Sequence, residues 1–401
     1  MMKIAIVVPT LAHGGAEKVA SQLSKFMSSK SQMQVIVMKS DIEFDYSGTL
    51  VNMNVNTILE RKVISRLINT IKITYKLYKL KKAESYGAVI SFLELANIPN
   101  ILSGSTRTLI SVREHRLSST QNDIQRKLTN LLIRLLYNRA NKIVAVSRGI
   151  EQSLLSDFGI APHKIRVIYN PIMTDNIETR MKQTLSQEML QIYSCPVIAT
   201  MGRLTVQKGQ WHLIRSFKKV LQSVPNAKLV VLGEGELKDN LTSLVNKMGL
   251  AHAVYFLGFD SNPFKFIARA RMFVLPSLWE GFPNALIEAM ACGVPVISTD
   301  CNTGPREILA PDTDYHVRAG DIEYAQYGIL VPVLDGEMRS EVEPLSREED
   351  KLAFCMIKVL QDENLAKRYA FQVQVRARDF SSDSIMAKWD QVIHEVVLGT
   401  S

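Results

Sequence analysis

Two kinds of apolar pattern alternate along the chain. Short, largely apolar runs at Ile4–Val8, Gln34–Met38, Ala88–Phe92, Thr108–Val112 and Lys142–Val146 read as buried strands. Between several of them apolar residues recur at helical spacing, first from Ala16 to about Met27, after a turn at His13-Gly14-Gly15. The pattern restarts at Pro196–Met201 and continues with strands at Lys228–Leu232, Val254–Phe256, Met272–Leu275 and Val294–Ser298. Alternation of this kind predicts an α/β protein with two Rossmann-like, doubly wound parallel sheets. The segment Asn170 to Tyr193 fits an interdomain connection. The amphipathic last helix, roughly Ser384 to Val397, fits a return to the first domain. The expected domains are therefore 1–172 joined by 382–401, and 190–381. Ligands of such sheets sit beyond the carboxyl ends of strands, so two facing sheets would place a site in a deep cleft between them.

The most informative stretch is 279–295, which follows the strand ending at Leu275. A helix is expected to begin near Pro283 or Asn284, since proline suits an early helical position and asparagine a cap. It should run past Glu288 and stop at Gly293 and Pro295. Glu280 and Glu288 then flank the helix start, where backbone N–H groups form a ready phosphate site. Eight helical positions give about 12 Å of rise and roughly 80° of rotation, so these acids are not a close carboxylate pair. They suit two parts of one extended ligand, or simply the favourable end of a helix dipole.

Composition adds bounds. A chain of 401 residues, 46% hydrophobic, is long enough for two α/β domains and is not that of a disordered protein. The opening apolar run is closed by Pro9 and is too short for a signal peptide, and no run reaches the length of a membrane span. Cys195, Cys292, Cys301 and Cys355 show no metal or disulfide spacing and fit a reducing cytoplasm. The net charge of +9 is concentrated between residues 61 and 140, which hold 15 Lys and Arg against 4 Asp and Glu. Such a patch suggests an anionic partner: lipid, diphosphate or nucleic acid.

Each further motif is weak by itself. Gly14-Gly15-Ala16-Glu17, between a strand and a helix, lets backbone approach a diphosphate or sugar, or forms a plain tight turn. Gly202-Arg203 to Lys208-Gly209 places two cations on one loop after a strand, suited to a diphosphate or simply solvated. His115 lies just past a strand end, where loops carry ligand contacts. From Glu60 to Tyr86 apolar Ile64, Leu67, Ile68, Ile71, Tyr75 and Tyr78 recur among Arg61, Lys62, Arg66, Lys72, Lys76, Lys79, Lys81 and Lys82. That stripe either packs on the sheet with its lysines in water, or lies on an anionic membrane. Arg126, Lys127, Arg134 and Arg139 add charge in the same half and favour the membrane. No nucleic-acid motif or aromatic stacking platform is present, so nucleic acid is not an expected partner.

Together the pieces resemble the family 4 glycosyltransferases, retaining enzymes of the GT-B fold. The resemblance runs from Gly14-Gly15-Ala16-Glu17 to Gly328-Ile-Leu-Val-Pro332. It is strongest at Gly202-Arg203 to Lys208-Gly209 and at Glu280 to Glu288 with Ala291-Cys-Gly-Val-Pro-Val-Ile297, and includes Val146-Ser147 and Val167-Ile-Tyr-Asn170. It implies a UDP-sugar donor held mainly by the second domain. Arg203 and Lys208 would grip the departing diphosphate, Glu288 the ribose and Glu280 the sugar. Gly281, Phe282, Pro283 and Asn284 would line the donor, with Gly202 in the diphosphate loop and Phe259 near the base. Gly14 and Gly15 would border the diphosphate and His115 the transferred sugar. No metal and no cofactor are expected, because fixed cations and helix N–H groups can stabilise the leaving charge and no Asp-x-Asp triplet suggests a metal-bridged donor.

The resemblance also implies a cytoplasmic enzyme, peripheral on the inner face of the membrane. Its acceptor would be a polyprenyl-diphosphate-linked saccharide of O-antigen, capsule or related assembly. A soluble sugar acceptor, a non-hydrolysing sugar-nucleotide epimerase and a nucleotide-sugar sensor are the rivals. Two departures stand out: Arg306 in Asn302-Thr-Gly-Pro-Arg-Glu307, a form resembling surface-polysaccharide enzymes that use hexosamine donors, and a polar insertion at 312–326, readable as an acceptor lid or an uninvolved loop.

Overall fold

The computed structural model describes residues 2–12, 14–55, 63–104, 107–112, 123–172 and 174–399. The chain divides into two compact units, Met1–Pro171 with Asp383–Ser401, and Ile172–Ser382.

The first unit holds β1 (Lys3–Val8), β2 (Gln32–Val37), β3 (Thr49–Asn52), β4 (Tyr86–Phe92), β5 (Thr108–Val112), β6 (Lys142–Ala145) and β7 (Ile165–Val167). All pair in parallel, in the order β3-β2-β1-β4-β5-β6-β7. The unbroken apolar run of β1 is explained by its two faces. Ile4, Ile6 and Val8 enter one core with Leu23, Trp389 and Ile393, while Ala5 and Val7 enter another with Ile73, Leu77 and Val89. The C-terminal helix Ser382–Leu398 thus closes the first of these layers, and its Trp389 ring lies 5.6 Å from that of Phe92.

The second unit holds β8 (Val197–Met201), β9 (Lys228–Leu232), β10 (Val254–Gly258), β11 (Met272–Leu275), β12 (Val296–Thr299), β13 (Glu323–Ala325) and β14 (Gly328–Val331). Their order is β10-β9-β8-β11-β12-β14-β13, parallel except for antiparallel β13. In each sheet the strand order reverses beside the first strand, between β1 and β4 and between β8 and β11. The loops leaving these strands are where a doubly wound sheet offers a ligand crevice.

The structure bears out the expected helix start and bears on two readings that the sequence left open. The helix starts at Asn284 as expected, with the roles of the two residues exchanged: Pro283 holds the cap position in extended backbone at ψ 95°, and Asn284 is the first helical residue. The 312–326 stretch ends in β13, hydrogen-bonded along β14. Among the described side chains of the helix Val63–Ala83, Ile73 and Leu77 pack inward with Leu80 beside them, and none of the described residues of the stripe singled out above joins that core. Leu67, Ile68, Ile71, Tyr75 and Tyr78 are exposed instead, Ile71 to 60%. Arg61 and Lys62, and the side chains of Ile64, Arg66 and Arg126, lie outside the described residues. Among the described residues no helix is long and apolar enough to cross a membrane.

Candidate active site

The second unit gathers its unusual chemistry at the carboxyl ends of β8, β11 and β12. After β8 the chain runs through Gly202 and Arg203 into a short 3-10 turn, Val206–Lys208, and then the helix Gln210–Ser223. Gly209 joins the two in left-handed backbone at φ 60°, and a Cβ there would stand 2.4 Å from the Pro276 carbonyl oxygen. Glycine is therefore required on both counts, and the β8 loop lies directly on the β11 loop. Backbone and side chain of Gln207 stitch the two. The Leu278 N–H donates to the Gln207 carbonyl at 2.8 Å, and Gln207 Nε2 donates to the Trp279 carbonyl at 2.9 Å.

This stitching brings Lys208 to Glu280. Lys208 Nζ donates to Glu280 Oε1 at 2.5 Å, and Ser277 Oγ donates to the same oxygen at 2.7 Å. Glu280 is only 5% exposed. A carboxylate that deep needs such partners, because an unpaired buried charge is strongly unfavourable. The Glu280 main chain is held too, as Thr303 Oγ1, on the loop after β12, donates to its carbonyl. Burial, with the Glu280 carboxylate adding, pushes the nearby Cys301 thiol far up, and burial raises Cys292 to about 12. Neither is a thiolate nucleophile at neutral pH.

The remaining expected residues of this unit lie on the loops after β8, β10 and β11 and on the helix Asn284–Ala291. Gly281 follows Glu280, the Phe282 ring packs edge-on against Phe380 at 5.6 Å, and Glu288 sits half-buried on the helix Asn284–Ala291. Gly202 precedes the exposed Arg203, whose carbonyl accepts from Gln210 Nε2 at 2.9 Å. Phe259, past the end of β10, is 80% exposed. In the first unit Gly14 caps the helix Gly15–Met27, and a Cβ on it would collide with the Glu17 carboxylate. His115 lies outside the described residues. Among the described residues no group of three or more His, Cys, Asp or Glu could hold a metal ion.

Sequence reasoning missed Ser277, Gln207 and Thr303, the groups that fix Glu280 and its loop. It also missed a buried cluster in which Glu349 Oε1 accepts from His212 Nδ1 at 2.8 Å and Arg215 Nε at 2.9 Å. The cluster anchors the helix that follows Lys208. The Ser346-x-x-Glu349 capping box was a legible signal for its position, since Glu349 Oε2 also receives the Ser346 N–H.

Residues 184–349 match the family model of glycosyl transferases group 1, and residues 13–176 match that of Glycosyltransferase Family 4. An uncharacterised glycosyltransferase of Methanocaldococcus jannaschii is 37% identical over 341 residues, 82% of this chain and 84% of that protein. The chain belongs to glycosyltransferase family 4. A second relative of this glycosyltransferase is the N-acetylgalactosamine-N,N'-diacetylbacillosaminyl-diphospho-undecaprenol 4-alpha-N-acetylgalactosaminyltransferase of Campylobacter jejuni. It is 29% identical over 396 residues, 96% of this chain and 97% of that protein. Among solved structures, Anabaena HepE in complex with UDP and glucose superposes with a TM-score of 0.72 at 17% identity, covering 98% of this chain and 100% of that one. The fold is GT-B, built of two Rossmann-like α/β units.

Proposed function

We propose that this glycosyltransferase moves a hexose or N-acetylhexosamine from a UDP-sugar to a polyprenyl-diphosphate-linked saccharide, with retention at the anomeric carbon and without a metal. The observation that carries the reading is the Lys208–Glu280–Ser277 constellation at the reversal point of the second sheet. Without a donor, Lys208 is neutralised by Glu280. An arriving diphosphate competes for that cation, and the freed carboxylate oxygen can accept a sugar hydroxyl. Charge then builds on the departing UDP, where Lys208, exposed Arg203 and the amides at the start of the Asn284–Ala291 helix stabilise it. Glu288 serves the ribose, and Gly202, Gly281, Phe282, Pro283 and Asn284 line the donor, with Phe259 near the base. In this reading the acceptor attacks from the face that UDP leaves, and its proton passes to the leaving diphosphate.

The lipid-linked acceptor is supported by the Campylobacter relative, whose name specifies a diphospho-undecaprenol-linked substrate. It is also supported by the helix Val63–Ala83, which contains no acid. Exposed Leu67, Ile71, Tyr75 and Tyr78 step by four, four and three residues along one face, flanked by exposed Lys72, Lys76, Lys79 and Lys82. The helix Asp123–Leu136 likewise exposes Leu128, Leu131 and Leu135 beside Lys127 and Arg134. Apolar residues among cations suit the anionic inner face of the cytoplasmic membrane. The test is a mass-spectrometric screen of UDP- and GDP-sugars against lipid-linked and soluble saccharides, with the anomer assigned by NMR. An α-linked product on a polyprenyl-diphosphate acceptor is expected. A product on soluble sugars alone, or donor epimerisation without any acceptor, would replace this reading.

A further inference from the structure

Behind the acidic loop lies a charged cluster that the proposed chemistry does not use. Asp300, at the end of β12, is fully buried. Its Oδ2 accepts from Arg306 Nε at 3.0 Å, from Arg306 Nη2 at 2.6 Å and from the Ala319 N–H at 2.7 Å. The same guanidinium reaches forward to the 312–326 segment, to Glu323 Oε2 at 2.7 Å and Thr313 Oγ1 at 3.1 Å. Arg318 Nη2 adds a bond of 2.6 Å to the Asn302 carbonyl. The insertion is thus fastened to the 300–306 turn at several points, through an arginine that is almost wholly buried.

That turn bears on Glu280. Thr303 donates to the Glu280 carbonyl. Gly304, at φ 92°, lies so close to the acidic loop that a Cβ would stand 2.5 Å from Pro283 Cδ and 3.2 Å from the Phe282 Cα. A contact this tight transmits displacement, because packed backbone has no slack to absorb it.

We propose that Arg306 is a positioning residue for the sugar half of the donor, acting through Thr303 and Gly304 on Glu280, and that the 312–326 insertion is its brace. The inference rests on the reading of Glu280 as the sugar contact. A guanidinium suits the task because its planar fork serves the Asp300 and Glu323 carboxylates together and keeps its charge. Without it Asp300 is left buried with no cation, and the turn that fixes the Glu280 carbonyl loses its anchor.

The experiment compares Arg306→Met, Arg306→Lys and Thr303→Val with wild type, in calorimetric titrations of UDP and of the UDP-sugar identified by the screen, alongside steady-state transfer. For Arg306→Met the affinity for UDP, which lacks the sugar, should stay within about twofold of wild type. The additional affinity for the UDP-sugar should vanish, and kcat should fall by about 10- to 100-fold, the scale of a small misplacement at a reacting centre. Thr303→Val should reproduce the split more weakly, and Arg306→Lys should recover part of it. Wild-type kcat and sugar increment in Arg306→Met would overturn the proposal, as would equal losses for UDP and UDP-sugar. Should Arg306→Met fail to fold, Thr303→Val decides by the same split. A wild-type protein that neither binds nor transfers any sugar nucleotide would instead refute the underlying function.

Discussion

The two units share a strand order and differ in what they do with it. Among the described residues each has seven strands, with the reversal beside its first strand. In the second unit the loops at that point are bound to one another: Gln207 to Leu278 and Trp279, Lys208 and Ser277 to Glu280, Thr303 to the Glu280 main chain. In the first unit the conspicuous feature is an apolar and basic helix surface turned to solvent. The proposed function thus assigns two kinds of recognition to one topology. A cage of fixed partners suits a small, charged ligand whose geometry must be held. An exposed amphipathic face suits a partner defined by surface charge and apolarity.

The largest effect expected is on the first unit's core. Trp389→Ala removes the fully buried ring that joins the C-terminal helix to β1 and β4, and should destabilise this unit by about 3–5 kcal/mol. Urea unfolding followed by hydrogen exchange should locate the loss in the first sheet; loss of protection confined to the second would contradict the layer assignment.

Next is the cage. Lys208→Ala should lower kcat by about 10²- to 10³-fold while changing donor affinity by less than about tenfold, because its charge matters most as the diphosphate departs. Equal turnover in mutant and wild type would remove Lys208 from the mechanism.

The open face offers a graded test. Replacing Lys72, Lys76 and Lys79 together with alanine should weaken co-sedimentation with anionic liposomes by about 1 kcal/mol per lysine, and wild-type binding should fall with salt. Unchanged binding, or binding indifferent to anionic lipid, would favour a soluble acceptor.

Lys81 sharpens the contrast within that one helix. Unlike its neighbours it is buried, donating to the Asn100 carbonyl at 2.7 Å, and burial lowers it to about 8. Its folded value lies below the unfolded one, so the unfolded state holds more protons between about pH 8 and the ordinary lysine value of 10.5. Stability from this group therefore rises with pH across that window. Thermal melts should show wild type gaining on Lys81→Met from pH 8 to 10.5, by up to a few kcal/mol as an order-of-magnitude estimate; a constant difference would place Lys81 in water.

Much of the fold was legible because parallel strands buried on both faces leave unbroken apolar runs. Thr108–Val112, Lys228–Leu232 and Met272–Leu275 have the same bounds in sequence and structure. The edge strands Thr49–Asn52, Ile165–Val167 and Glu323–Ala325 were not legible, being only three or four residues long and mostly not buried. Lys208 and Glu280 were visible as separate charges on loops. Their ion pair joins residues 72 apart and depends on Gly209 letting two backbones touch, which no local pattern encodes. The Val63–Ala83 helix shows a related limit. It carries one apolar stripe inward and another outward, and periodicity alone does not say which faces the core.

The central claim is that the Lys208–Glu280 cage grips an activated sugar. Calorimetric titration of UDP and UDP-sugars into wild type and Glu280→Gln tests it most directly. The account predicts one binding site per chain, tighter binding of one UDP-sugar than of UDP, and loss of that difference in Glu280→Gln. No heat with any sugar nucleotide, or an undiminished sugar preference in the variant, would contradict it.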